Sequence, residues 1–330
     1  MKITIIVWAR YHRRSELLAQ HLGATIHYIC HGRMGQLSQA PVRYLVQAWQ
    51  TWRILCQDRP DIIFVQNPPI FAVLLTAIYA RFYNARYVID SHTAAFISSK
   101  WSWSVGLHRI LSRGALVTIV HNASQEKIVN RWGCRYCVID YTPGDYPEGV
   151  AYPFQGKFNL AVVNTFVKDE PLEEIFNAAT YLPEVSFYFS GDSTRIHQSL
   201  LAKKPDNCIL TGYLSYNQYI GLLHGADAVL DLTDRDHTLL MGGFEAVSLG
   251  KPLITSDWPI LKDYFSSGTI HVSNTVEGIV NGVRQMLREQ SILQQDILLL
   301  RGRLQLEWEQ NIQALKQLLQ ENPAKSKSVL

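Results

Sequence analysis

Short uninterrupted apolar runs alternate with stretches of helical periodicity along almost the whole chain. In the first half the runs fall at Ile3–Trp8, Thr25–Cys30, Ile62–Gln66, Tyr87–Asp90, Leu116–His121 and Arg135–Ile139. Between them, residues 12–22, 39–57, 69–83, 103–112 and 123–132 read as helices. A strand without polar alternation is one covered by helices on both faces of its sheet. Strand–helix alternation therefore predicts α/β architecture with a doubly wound parallel sheet. The second half repeats the pattern, with strands at Phe158–Val163, Val185–Ser190, Asn207–Leu210, Ala228–Asp231, Leu253–Thr255 and Thr269–His271. Its helices are expected at 171–181, 194–203, 216–224, 240–249, 259–265 and 275–290, followed by an amphipathic helix from Ile292 to Glu321 and a frayed tail, PAKSKSVL.

Between the halves, Tyr141 to Lys157 carries three prolines and three glycines and reads as an interdomain linker. The expected domains are 1–145 and 155–300, with 301–330 forming a terminal helix that returns to the first domain, and the tail. Two such Rossmann-like domains facing a cleft imply hinge closure as the natural motion.

Composition narrows this picture. A chain of 330 residues, 47% hydrophobic and 18% charged, can bury two cores. A net charge of +3 and a pI near 8.5 are too mild to argue for nucleic acid, though they allow an anionic ligand or a membrane surface. Five scattered cysteines fit a reduced, cytoplasmic compartment better than a disulfide framework. Cys134 and Cys137 form a lone C-x-x-C, which reads as packed thiols. The first strand follows Lys2 with no cleavage site, so no signal peptide is expected. Pro69–Ala80, the longest apolar run, is short of the roughly twenty residues that span a bilayer. Gly32 and Gly35 do not complete a G-x-G-x-x-G, so a nicotinamide site is unsupported.

The densest chemistry lies in ADAVLDLTDRDHTLLMGGFEAVSLGKPLITSD, residues 226–257. Loops at the carboxyl ends of parallel strands face ligand crevices. A helix start offers unpaired amides to an anion, and glycine allows close approach. Gly242, Gly243 and Glu245 thus suit a nucleoside diphosphate, the carboxylate accepting from a ribose diol. Packing glycines and a solvated helix acid account for the same residues. Asp234-Arg235-Asp236 spells D-x-D but stands alone, and no zinc-like Cys/His spacing occurs.

GGFEAVSLGKPLITSD resembles the donor-binding segment of GT-B glycosyltransferases, group 1-like. The resemblance implies that Glu245 holds the nucleotide ribose. Retaining members carry a first glutamate eight positions earlier; here that position is His237, near the donor sugar by implication. IIFVQNPPIFAVLLTAIYARFYNARYVIDSHTAAF resembles a segment of chitobiosyl-diphosphodolichol β-mannosyltransferases, with Gln66-Asn67-Pro68-Pro69 and Ile89-Asp90-Ser91-His92 at two strand ends. NTFVKDEP, from Asn164 to Pro171, is similar to a loop of the same family. IVHNASQEKIVNRWG looks like the closing strand and helix of GT-B acceptor domains.

The resemblance implies a hexosyltransferase that needs no metal and no cofactor, moving sugar from a nucleotide-sugar donor to a glycan, lipid-linked or small-molecule acceptor. His92 is the candidate acid–base residue and Asp90 its orienting carboxylate. A departing diphosphate needs charge stabilisation more than a nucleophile, and Lys168, Arg195 and Arg235 follow successive strands. On the acceptor side stand Arg10, Tyr11, Asn67 and Trp101, within clusters that also hold His12, Arg13, Arg14, Trp103, His108 and Arg109. Tryptophan beside arginine suits sugars, diphosphates or a peripheral membrane contact. A nucleotide-sugar 2-epimerase and a non-catalytic binding derivative are the rival readings.

Overall fold

The computed structural model describes residues 1–32, 40–140 and 143–321. Gly35, the first residue of the helix expected at 39, Tyr141 and Thr142 of the linker, and the tail from Pro323 lie outside the described residues. The chain divides into two compact units, Met1–Tyr141 with Glu307–Leu330, and Thr142–Leu306.

The first unit is a six-stranded parallel sheet: β1 (Ile3–Val7), β2 (Thr25–Tyr28), β3 (Ile62–Asn67), β4 (Arg86–Ser91), β5 (Val117–Val120) and β6 (Tyr136–Val138). Its order is β2-β1-β3-β4-β5-β6. The helices between are α1 (Arg13–Leu22), α2 (Ala40–Asp58), α3 (Ile70–Tyr83), α4 (Ala94–Ile97), α5 (Val105–Gly114) and α6 (Ala123–Trp132). Successive strand residues point to opposite faces, so Ile5, Phe64 and Val88 build one core while Ile6, Val65 and Ile89 build the other beneath α2 and α3.

The second unit repeats the design with β7 (Phe158–Val162), β8 (Val185–Ser190), β9 (Cys208–Gly212), β10 (Ala228–Asp231), β11 (Leu253–Ser256) and β12 (Thr269–Val272), ordered β12-β11-β10-β7-β8-β9. Its helices are α7 (Leu172–Ala179), α8 (Gln198–Leu201), α9 (Tyr216–Gly225), α10 (Met241–Leu249) and α11 (Pro259–Tyr264). In both parallel sheets the strand order reverses beside the first strand, between β1 and β3 and between β7 and β10. Such switch points open a crevice at the strand ends.

Two expectations need correction. The helices expected at 275–290 and from Ile292 are one element, α12, running Val276–Gln320 without interruption. The proline-rich stretch packs rather than merely punctuating. Val150 N–H donates to Asn217 O at 2.9 Å, and Phe154 lies edge-on to Tyr188 with centroids 4.9 Å apart. Among the described residues no helix is long and apolar enough to cross a membrane.

Candidate active site

At the carboxyl end of the first sheet, β4 delivers Asp90 and the next loop delivers His92. The loop is docked by His92 N–H donating to Asn67 O at 2.8 Å. The Asp90 side chain is buried among cationic and imidazole groups. Arg14 Nη1 lies 3.2 Å from Oδ1, His121 Nε2 3.3 Å from the same oxygen, and His92 Nε2 3.5 Å from Oδ2. Arg14 is itself buried; its Nη2 donates to Ile139 O at 2.8 Å, and its Nη1 lies 2.8 Å from His121 Nδ1.

Burial alone would push the Asp90 carboxyl up, but Arg14 and then His92 outweigh it and hold the group well below the usual carboxylate range. Burial, followed by Arg14, pushes His121 down to about 3, and burial, followed by His92, pushes His12 down to about 4. At neutral pH the cluster is therefore one carboxylate, one guanidinium and two neutral imidazoles surrounding His92. That ring stands 4.7 Å from His12 and 4.5 Å from His121 by centroids, and its side chain is 19% exposed. A reachable imidazole backed by a buried carboxylate can take a proton, because Asp90 stabilises the imidazolium that forms.

Ligating atoms of Asp90, His92 and His121 all lie within 4.8 Å of one another, a set of metal-binding composition. The Arg14 guanidinium already supplies the cation against Asp90 and His121.

In the sequence His12 and Arg14 stand only within the acceptor-side clusters, and nothing there marks His121. His121 directly follows β5, while His12 and Arg14 stand at the start of α1 after β1; bringing them to Asp90 takes the strand order. Asn67 is buried, serving His92 through its carbonyl. Trp101, expected on the acceptor surface, is a core residue instead: it is 8% exposed and packs on Phe71, while Trp103 takes the surface position. Arg10 and Tyr11 are exposed, and Tyr11 donates to Glu16 Oε2 at 2.7 Å.

In the second unit the loops after β7 and β10 flank the switch point. Glu170 gathers the first loop, accepting from Thr165 N–H at 2.9 Å, Thr165 Oγ1 at 2.8 Å and Val167 N–H at 3.2 Å. Asp169 joins the two loops: its carbonyl accepts from Asp234 N–H at 2.7 Å, and Arg235 pairs with its carboxylate at 2.9 Å. Arg195 reaches Thr165 O at 3.4 Å, and Lys168 is exposed on the same loop. His237 is exposed in the left-handed region, φ 62°, paired with Asp236 at 3.2 Å. The D-x-D carboxylates diverge: Asp234 accepts from Asn274 Nδ2 at 2.7 Å, while Asp236 binds His237.

The start of α10 is committed internally. Gly243 N–H donates to the buried Asp231 Oδ2 at 3.1 Å. A Cβ on Gly242 would meet that oxygen at 2.4 Å, and one on Gly243 would meet the Phe265 ring at 2.6 Å. Close packing thus explains both glycines, and the Gly243 amide expected to hold a diphosphate is taken by Asp231. Further along α10, Glu245 accepts a hydrogen bond from Tyr219 Oη. Burial raises the Glu245 carboxyl to about 7, against the opposing effect of that bond. Asp231 is held well above the usual range by burial and then by Glu245. Tyr219 occupies Oε2 of Glu245; Oε1 makes no bond among the described residues and can serve a hydroxyl pair. Cys134 and Cys137 are free thiols donating separately to Val129 O and Asn311 O.

No family model matches the chain, and no curated protein sequence matches it. Solved structures do match. Sucrose-phosphate synthase from Thermosynechococcus elongatus aligns at TM-score 0.70 and 12% identity over 97% of this chain and 98% of its own. Anabaena HepE in complex with UDP and glucose aligns at 0.68 and 12% over 98% and 100%. UDP-GlcNAc 2-epimerase from Methanocaldococcus jannaschii aligns at 0.60 and 16% over 87% and 93%. The likeness defines the fold as GT-B, the two-domain Rossmann-like architecture of these enzymes.

Proposed function

We propose that the chain is a glycosyltransferase that moves a sugar, a hexose, from a nucleoside-diphosphate donor to an acceptor hydroxyl. The observation that carries this reading is Glu245, a carboxylate held by Tyr219 beside the switch point of the second unit with one oxygen left for a ribose diol. HepE, a neighbour in fold, is also solved in complex with UDP-glucose. Arg235, Arg195 and Lys168 gather on the loops after β7, β8 and β10, and they stabilise the departing diphosphate electrostatically, with no metal required. His92 acts as general base toward the acceptor, with Asp90 as its counter-charge and Arg14 and His121 as positioning residues. Arg10 and Tyr11 contact the acceptor, a glycan or lipid-linked sugar. His237 replaces the carboxylate of retaining relatives, and this together with the QNPP and IDSH segments favours inversion.

The test is a thermal-shift panel of UDP, GDP, ADP and TDP on the wild type, Glu245→Ala and His92→Ala. A ligand at a hundredfold its Kd stabilises by about 2.7 kcal/mol. One nucleotide is expected to shift the wild type and His92→Ala, and Glu245→Ala far less. His92→Ala should lose roughly a hundredfold or more in transfer. No shift by any nucleotide in folded protein sinks the donor site. A 2-epimerase is the second reading, favoured by the ionisable set Asp90, His92 and His121 and by the epimerase neighbour in fold; donor turnover without acceptor would select it.

A further inference from the structure

The long helix α12 carries an apolar line that faces water. Leu293, Ile297, Leu300 and Leu304 bury its inner side. Ile292, Leu299 and Leu306, seven residues apart, are 63%, 72% and 56% exposed. Seven residues make two helical turns to within about 20°, so the three stand one above another over about 21 Å. Leu298, beside them, is 48% exposed. Single exposed leucines are ordinary; a heptad line of them on one helix is the seam that a second helix fills.

Gly302 lies beside the same line. A Cβ built on it meets nothing within 4 Å, so no packing within this chain calls for glycine there. In a helix interior glycine costs about 1 kcal/mol against alanine. A second backbone passing close accounts for it.

Charge decides what fills the seam. From Arg284 to Gln310 the helix holds four arginines and four acids, a net of zero, which favours neither an anionic surface nor a basic partner. The order of those charges favours this helix itself. A second copy turned end for end about Leu299 sets Leu299 against Leu299 and Ile292 against Leu306. Asp296 then falls within one residue's rise, about 1.5 Å, of the level of the second copy's Arg303. Arg288 falls equally close in level to the second copy's Glu309. At 100° per residue Asp296 and Arg303 share one flank of the line, and Arg288 and Glu309 the other. Like flanks meet across a two-fold axis, so each pairing occurs twice.

Arg288, Asp296 and Glu309 make no ion pair or side-chain hydrogen bond among the described residues. Arg303 donates to Ser266 Oγ at 2.9 Å, and its planar fork carries five N–H donors. A parallel copy would instead set Asp296 against Asp296 and Arg303 against Arg303. We propose that the protein associates through α12 into an antiparallel two-fold dimer centred on Leu299. One helix pair of this length buries less than the roughly 1,200–2,000 Å² of stable complexes, so the dimer is weak and concentration-dependent. It rests on neither the donor nor the acceptor assignment.

Sedimentation equilibrium of the full chain, from about 1 to about 300 µM, tests it. The wild type is expected to pass from monomer to dimer across that range. Leu299→Glu sets two carboxylates against each other on the axis and should weaken association at least roughly tenfold. Asp296→Arg alone and Arg303→Asp alone bring like charges together at both ends, and each should weaken it roughly fivefold. The two changes in one chain restore opposite pairs and should restore association. Phe82→Glu, exposed on α3 of the first unit, should leave it unchanged. Unfolding midpoints close to wild type verify that each variant folds. A chain that stays monomeric throughout, a dimer indifferent to Leu299→Glu, or one that Phe82→Glu dissociates overturns the proposal. So does a dimer that Leu299→Glu weakens and the single charge changes do not, because its helices then meet in another register.

Discussion

Asp90 is a buried carboxylate and Glu245 a half-buried one, and their surroundings drive them in opposite directions. Arg14 faces Asp90 at 3.2 Å and keeps it ionised; removing one member of such a buried pair typically costs about 3–5 kcal/mol, because the other charge is left bare. Glu245 has no cation among its perturbing groups, and burial raises it to about 7 from an ordinary 4.5. Between those values the folded state keeps a proton that the unfolded state has released, so stability falls as pH rises through that window and stays lowered above it. Glu245→Gln keeps an acceptor for Tyr219 and abolishes the penalised charge. It is therefore expected to raise stability by about 1–3 kcal/mol at pH 8 and to change it little at pH 4.5, while weakening nucleotide binding. Urea unfolding at the two pH values checks this; equal effects at both would show that burial of the charge is not the cause.

The elements were legible wherever helices cover both faces of a strand, because burial then writes itself as an unbroken apolar run. Ile62–Asn67 and Val185–Ser190 are found within a residue of where the runs stand. Legibility failed where a helix changes partner. Residues 290–292 hold neither glycine nor proline, so nothing stops α12 there; its apolar side passes from Val283 and Met286 in the second core to Ile312 and Leu315 in the first. The candidate site shows the same division. His92 and Glu245 stand out by position on a strand end and a helix, whereas Arg14 and His121 reach Asp90 only through the strand order. α1 adds a test of its own. Its N-cap is His12, whose Nδ1 accepts from Ser15 N–H at 3.3 Å, and whose ring titrates at about 4 rather than 6.5. As pH falls from 6.5 toward 4 the unfolded state binds a proton that the folded cap refuses, so stability is lost across that window. His12→Asn supplies a non-titrating cap and is expected to gain about 2 kcal/mol at pH 5 and under about 0.5 at pH 8, read from unfolding midpoints. A gain of the same size at both values would mean that cap geometry, not protonation, limits α1.

At the scale of the molecule, α12 begins in the second unit and ends in the first, and its last turns supply side chains to the first unit's core. Trp308 is 7% exposed and meets the His21 ring edge-on at 4.4 Å, in a core that also holds Ile3, Val7 and Leu18. Ile312, Leu315 and Leu319 follow at helical spacing into the same core. Truncating a buried tryptophan to alanine costs about 3–5 kcal/mol, the transfer loss plus the cavity, against a domain stability of roughly 5–15 kcal/mol. Proteins of more than one domain need not unfold in one step, so the loss should be confined. In calorimetry, Trp308→Ala is expected to move one transition down by several degrees and leave a second, the one raised by bound nucleotide, in place. Nucleotide binding should then persist to the second transition, which belongs to the unit that carries Glu245. If Trp308→Ala instead lowers a single transition, and with it the nucleotide shift, then α12 couples the two units into one cooperative fold.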